Sequence, residues 1–136
     1  MNFFEKELRG MFQHRTLLKD PVFCGKAMLA KLDDELRIRL EFVISNTIDK
    51  YTGIEAKIIN RTGGMVDRNV FRFADIIGMK QTPLCGKHEP YIWVYHDETV
   101  CWYTPVSDAE KQRIADAVMA YVELYQTPQQ GPDMKM

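Results

Sequence analysis

The 136-residue sequence predicts an α+β fold, a largely antiparallel sheet of about five to six strands with helices from the N- and C-terminal ends packed on it. Three observations carry the prediction. Residues 36–45, LRIRLEFVIS, alternate apolar and polar side chains, the period of a strand with one face buried. Near the two ends, FFEKELRGMF and SDAEKQRIADAVMAYVE repeat apolar residues at helical intervals. Between them lie short β-like runs separated by turn-forming residues.

Taken in order, Asn2 and Glu5 have capping-box spacing, and Phe4, Leu8, Met11 and Phe12 follow on one face of a helix over residues 3–13. Pro21 separates that helix from a β-hairpin over residues 22–46, whose arms FCGKAMLAKL and LRIRLEFVIS turn at Asp33-Asp34-Glu35. A third strand, GIEAKIIN, points Ile54, Ala56 and Ile58 inward. Thr62-Gly63-Gly64 makes a turn cheap, since glycine tolerates positive φ. The fourth strand, VDRNVFRF, sets Phe71 and Phe73 on one face, and ADIIG closes it with a short helical turn. Residues 79–89 (MKQTPLCGKHE) form a long polar connection, the best candidate for a mobile loop. A last hairpin, PYIWVYHDETVCWYTP, turns at Asp97-Glu98 and pairs Val94 with Cys101 and Trp93 with Trp102. Ser107 and Glu110 then open a helix with a reciprocal cap; Ile114, Ala117, Val118, Tyr121, Val122 and Tyr125 form its apolar stripe, and Pro128 ends it. Residues 1–127 therefore read as one domain, and 128–136 as a disordered tail with too little apolar surface to order itself.

Composition narrows the class. Hydrophobic residues make up 46% and charged residues 27%, and the formal net charge is −1, so no global field recruits nucleic acid or an anionic membrane. The opening MNFFEKELRGMFQ has no apolar core or cleavage site of a signal peptide, and no apolar run approaches a membrane span. The sequon Asn60-Arg61-Thr62 is then expected to stay unmodified. Three widely spaced cysteines, Cys24, Cys85 and Cys101, suit a reducing compartment. The expected location is the cytoplasm.

Both faces of the last hairpin are apolar. In the predicted register Ile92, Val94, Cys101 and Tyr103 fall on one side, and Tyr91, Trp93, Tyr95, Val100 and Trp102 on the other. Four large rings, Tyr91, Trp93, Tyr95 and Trp102, would leave about 600–1,000 Å² of aromatic surface to cover. Either the C-terminal helix covers it, or the four residues form an interaction surface for a protein partner, a second copy of the chain being the simplest. The alternative binding class is single-stranded nucleic acid, held by Arg37, Arg39, Lys57 and Arg72 on the outer side of the strands if the hairpin aromatics share that side. Glu41 and Glu55 on the same side oppose that reading.

Cys85, His88, His96 and Cys101 are a valid tetrahedral zinc donor set. Their order matches no common finger spacing, and core and loop placements account for all four, so neither a metal nor any other cofactor is expected. A small metal-dependent or thiol enzyme is the third class, but nothing in the sequence marks an oxyanion hole or an activated thiol. No catalytic residue is assigned.

The opening MNFFEKELR, the stretch NRTGGMVDRNVFRFADIIG and the PYIWVYHDETVCWYTP hairpin together resemble a group of small proteins carried on mobile elements of Gram-positive gut bacteria. The resemblance implies an accessory or host-interaction role, anti-defence activity included, and transfers no site residue. With residues 74–80 as a full helix, the order α-β-β-β-α-β-β-α is also similar to the small dimeric chaperones of type III secretion. The expectation is a non-catalytic cytoplasmic protein that works by binding another protein.

Overall fold

The computed structural model describes residues 2–44, 52–78, 91–94 (backbone only at 93 and 94), 97, 99–102 and 104–126. Asn2 opens the first helix, α1 (Phe3–Phe12), by accepting the Glu5 N–H on its side-chain oxygen at 2.7 Å. The Glu5 carboxylate holds Arg9 one turn on, at 2.9 Å. Phe4, Leu8, Met11 and Phe12 are buried, as their period predicts.

Five strands follow in an antiparallel meander: β1 (Lys19–Cys24), β2 (Ala27–Lys31), β3 (Leu36–Ile44), β4 (Thr52–Asn60) and β5 (Met65–Arg72), hydrogen-bonded in chain order. The predicted first arm of the hairpin, FCGKAMLAKL (residues 23–32), in fact belongs to two strands. Gly25, at φ 59°, lets the chain reverse between Cys24 and Ala27, a conformation that side chains with a Cβ seldom take. Pro21 lies inside β1 rather than before it. An edge strand tolerates proline because the missing N–H faces away from the sheet.

Turn chemistry fixes the other connections. Asp33 Oδ1 accepts from the N–H groups of Glu35 (2.8 Å) and Leu36 (2.7 Å). Asn60, read in the sequence as part of a strand and a sequon, staples the next turn: its Oδ1 accepts from Thr62 N–H at 3.1 Å and Gly64 N–H at 2.8 Å. At Gly53 the backbone of β5 passes so close that an added Cβ would strike the Phe71 carbonyl.

β5 ends at Arg72, so Phe73 is not a strand residue. It begins the helix α2 (Phe73–Ile77), where its ring is fully buried against Phe42, 6.1 Å between centroids. Five strands thus precede α2, which departs from the chaperone-like order, and the helix ends at Ile77 because Gly78, at φ 87°, turns the chain out of it, so residues 74–80 are not one continuous helix. The last hairpin is β6 (Ile92–Val94) with β7 (Val100–Trp102), a separate two-stranded sheet. The final helix, α3 (Asp108–Glu123), has the predicted reciprocal cap between Ser107 and Glu110. Its buried face is Ile114, Ala115, Val118, Met119, Tyr121 and Val122; Ala115 and Met119 belong to it, while Ala117 and Tyr125 of the predicted stripe are only half-buried.

The fold is α+β with the sheet antiparallel and a helix from each end of the chain, as the sequence predicts. One core joins α1, α2 and α3 to the inner side of the sheet, where Met28, Ile38, Leu40, Phe42, Ile54, Ala56 and Ile58 are inaccessible to water.

Candidate functional site

Directly paired residues of an antiparallel sheet share a face, so the register sorts every strand residue to one side. On the side away from the helices it builds rows that run across the strands. One row is Lys19, Lys31, Arg37, Ile59 and Met65; the next is Val22, Leu29, Arg39, Lys57 and Arg68. The third is Cys24, Ala27, Glu41, Glu55 and Val70, and a short fourth is Val43, Gly53 and Arg72. All three described helices lie on the opposite side, so among the described residues this face carries no second layer.

Its charge is lopsided. Seven of the chain's 18 basic side chains stand on these rows, against two of its 19 acidic ones. The rest of a chain of net charge −1 is therefore acidic overall. The two carboxylates are shared among three cations of the neighbouring row: Arg39 Nη1 lies 2.5 Å from Glu41, Lys57 Nζ 3.7 Å from Glu55, and the Arg68 guanidinium also donates to Glu55. Such half-exposed pairs contribute little to stability, about 0–1 kcal/mol, and leave their cations able to take a further partner. Arg37 is committed differently, donating to the Asp33 carbonyl at 2.9 Å and closing its own turn. In line with the cations, Val22 and Leu29 stand 62% and 45% exposed.

Both edges of the sheet are blunted. β1 carries Pro21 and a register shift at Asp20, whose φ is 52°. On β5 the N–H of Val70 is taken by the Asn69 side chain at 2.9 Å. Asp67 accepts from the Tyr125 hydroxyl, and this bond above all holds its carboxyl below the usual carboxylate range. The same bond raises the Tyr125 pKa. Tyr121 is pushed above the ordinary tyrosine range, chiefly by burial and then by the neighbouring Asp67 carboxylate.

The predicted nucleic-acid contacts Arg37, Arg39, Lys57 and Arg72 all fall on the bare face, joined by Arg68, Lys19 and Lys31. Arg68 was legible from its place in VDRNVFRF, but only the register reveals that it extends the Arg39–Lys57 row. Of the hairpin aromatics, Tyr91 and Trp102 do not join them, and the side chain of Trp93 lies outside the described residues. Tyr91 is 1% exposed, its ring 5.9 Å from that of Phe73 and its hydroxyl donating to the Gly78 carbonyl. Trp102 is half-buried between Phe3 (5.6 Å) and Phe73 (5.8 Å), with Lys111 Nζ 5.4 Å above its ring. Lys111 in turn pairs at 2.9 Å with Glu7, a nearly buried carboxylate that the helical pattern of α1 concealed.

The hairpin register also differs from the expected one. Ile92 pairs with Trp102, Trp93 with Cys101 and Val94 with Val100, one residue from the predicted pairing. Positions 93 and 102 therefore fall on alternate faces of the hairpin, not on one. With apolar residues on both faces, the sequence pattern cannot choose between the two registers.

Tyr95 lies outside the described residues, as do Cys85, His88 and His96 of the zinc set; Cys101, the fourth member, is a free, half-buried thiol. Among the described residues no three His, Cys, Asp or Glu side chains are gathered as metal ligands. No described helix is long and apolar enough to cross a membrane.

Comparison with known proteins finds no matching family model, curated protein or solved structure.

Proposed function

We propose that this chain is a non-catalytic binding protein, and that it engages a protein partner through the bare face of its five-stranded sheet. The observation that carries the proposal is the concentration of basic side chains on that face of a chain otherwise acidic, with exposed Val22 and Leu29 in the same row. Charge of one sign steers encounter and selects against wrong partners, while exposed apolar groups supply the burial that holds a complex together. The free thiols Cys24 and Cys101 go with a cytoplasmic site of action. The resemblance to mobile-element proteins favours a host protein as the partner, a component of a defence system included.

A second reading, single-stranded nucleic acid, draws on the cation row Arg39, Lys57 and Arg68 across three neighbouring strands. Against it, none of the four rows contains an aromatic residue, so among the described residues the face offers no ring for base stacking. The hairpin pairing of two copies, expected from the sequence, has less to work with, because Tyr91 and Trp102 already pack within the chain.

Site-specific photo-crosslinking in cells that carry the protein tests the proposal. A photoreactive residue at Leu29 or Arg68 should trap a discrete protein in a nuclease-resistant adduct, and the same group at exposed Ala120 on α3 should not. Adducts that nuclease destroys, or equal yields from all three positions, would overturn it.

A further inference from the structure

We infer that the partner presents to this face an acidic amphipathic α-helix lying across the strands, with apolar residues over Val22 and Leu29 and carboxylates over Arg39, Lys57 and Arg68. The inference rests on the protein-binding reading above and adds the chemistry and shape of the bound segment.

The blunted edges point to the face as the docking surface. A strand added at β1 meets Pro21 and the bulge at Asp20; one added at β5 finds the Val70 N–H group already taken by Asn69. What remains is the broad face, and its spacing selects the occupant. Neighbouring strands lie about 4.8 Å apart, so the row from Val22 to Arg68 spans about 19 Å over its four steps. A helix advances about 5.4 Å per turn, so four turns cover about 22 Å and place one side chain near each strand. An extended segment advances about 6.8 Å between side chains on one face, about 27 Å over the same four steps, and runs out of register by more than one strand spacing. The helix mismatch stays under about 3 Å, within reach of arginine and lysine side chains.

The order of chemistry along the row sets the order of residues on the helix. Two exposed apolar positions, Val22 and Leu29, come first, and three cations follow. Glu41 and Glu55, about 7 Å to one side, would repel an anion of uniform charge but suit a helix with a basic flank there. A nucleic-acid strand, uniformly charged along its backbone, has no means of withdrawing charge from the Glu41–Glu55 row.

The test uses the full chain and synthetic stapled helices of about five turns, leucine in the first two and glutamate in the next three on one face. Controls are a scrambled helix of the same composition and an oligothymidylate of comparable charge, with binding read by fluorescence anisotropy at physiological salt. The patterned helix should bind at least about tenfold more tightly than the scrambled one. Arg39→Glu with Arg68→Glu should erase that difference, and a helix carrying lysine for glutamate should recover affinity for the double variant. Arg39→Ala with Arg68→Ala, gentler on the sheet, should lower affinity for the patterned helix in the same direction. Equal binding of the two helices, tighter binding of the oligonucleotide, or no binding at all would overturn the inference. So would self-association of the chain that is lost in the double variant, because the occupant would then be a second copy. A protein adduct at Leu29 that persists in the charge-reversed chain would sink the helix alone and leave protein binding standing. Nuclease-sensitive adducts would sink both.

Discussion

The same residues of β3 and β4 show the molecule at its two extremes. Ile38, Leu40, Ile58 and Ala56 are closed to water, while Arg39 and Lys57, alternating with them, keep about a third of their side-chain surface. Nothing in the backbone distinguishes the two sides. The helices settle on the apolar one because burying each large aliphatic side chain is worth about 1.5–3 kcal/mol, whereas covering an arginine without a partner costs more than that. The comparison teaches that the bare face is bare by composition. The helices that close the core cannot also cover a face whose central rows are cationic. β5 blurs the contrast, since its inward positions are Asp67, Asn69 and Phe71, and there the helix layer meets the sheet through the Tyr125 hydroxyl and the Tyr121 ring rather than through methyl groups alone.

The largest effect is expected where charge has been drawn onto the covered side. Lys111→Met leaves the Glu7 carboxylate, 8% exposed, without its partner and should cost about 3–5 kcal/mol. Adding Glu7→Leu should return most of that loss in urea denaturation. If the double variant is no more stable than Lys111→Met alone, the pair is not what holds α1 to α3.

Adjacent residues on opposite faces give the direct comparison. Leu40→Ala should cost about 2–5 kcal/mol, and Arg39→Ala less than about 1 kcal/mol, despite its ion pair with Glu41. Similar losses at both positions would mean that something covers the outer face as well.

Ser107→Ala should cost about 1 kcal/mol, since the Glu110 N–H loses its acceptor while the rest of α3 is unchanged. Thermal unfolding with Ser107→Asp as the control separates loss of the cap from loss of packing.

The smallest effect is expected at the polar seam of β5 and α3. A carboxylate held below its usual range adds stability that is present above the unfolded pKa of an aspartate. That contribution fades as pH falls below the ordinary range and is gone below the lowered folded value. Tyr125, raised by the same bond, works oppositely: its contribution is present below the ordinary tyrosine pKa and fades as pH climbs through the raised one. Asp67→Asn should therefore flatten the acid limb of a stability–pH profile, and Tyr125→Phe should alter both limbs. An unchanged acid limb in Asp67→Asn would show that the bond forms equally in the unfolded chain.

Much of this was legible in the sequence, for reasons that local chemistry makes plain. The period of two in LRIRLEFVIS assigned Ile38, Leu40 and Phe42 to the core and Arg37, Arg39 and Glu41 to the other side. The Asn2 and Ser107 caps and the Asp33 turn depend on hydrogen bonds within four residues, which a short stretch of chain specifies by itself. The class of the fold followed from those pieces.

The tertiary structure alone decided what depends on register and on packing between distant segments. The hairpin of β6 and β7 is apolar on both sides, so a slip of one residue exposes no new polar group, and the alternation that fixes register elsewhere carries no information there. Phe3, Phe73 and Lys111, far apart in the chain, select the arrangement by closing around Trp102. The basic face has the same origin. Each strand supplies only one or two of its cations, and Arg39, Lys57 and Arg68 become a single row because long-range hydrogen bonding aligns β3, β4 and β5 at those residues.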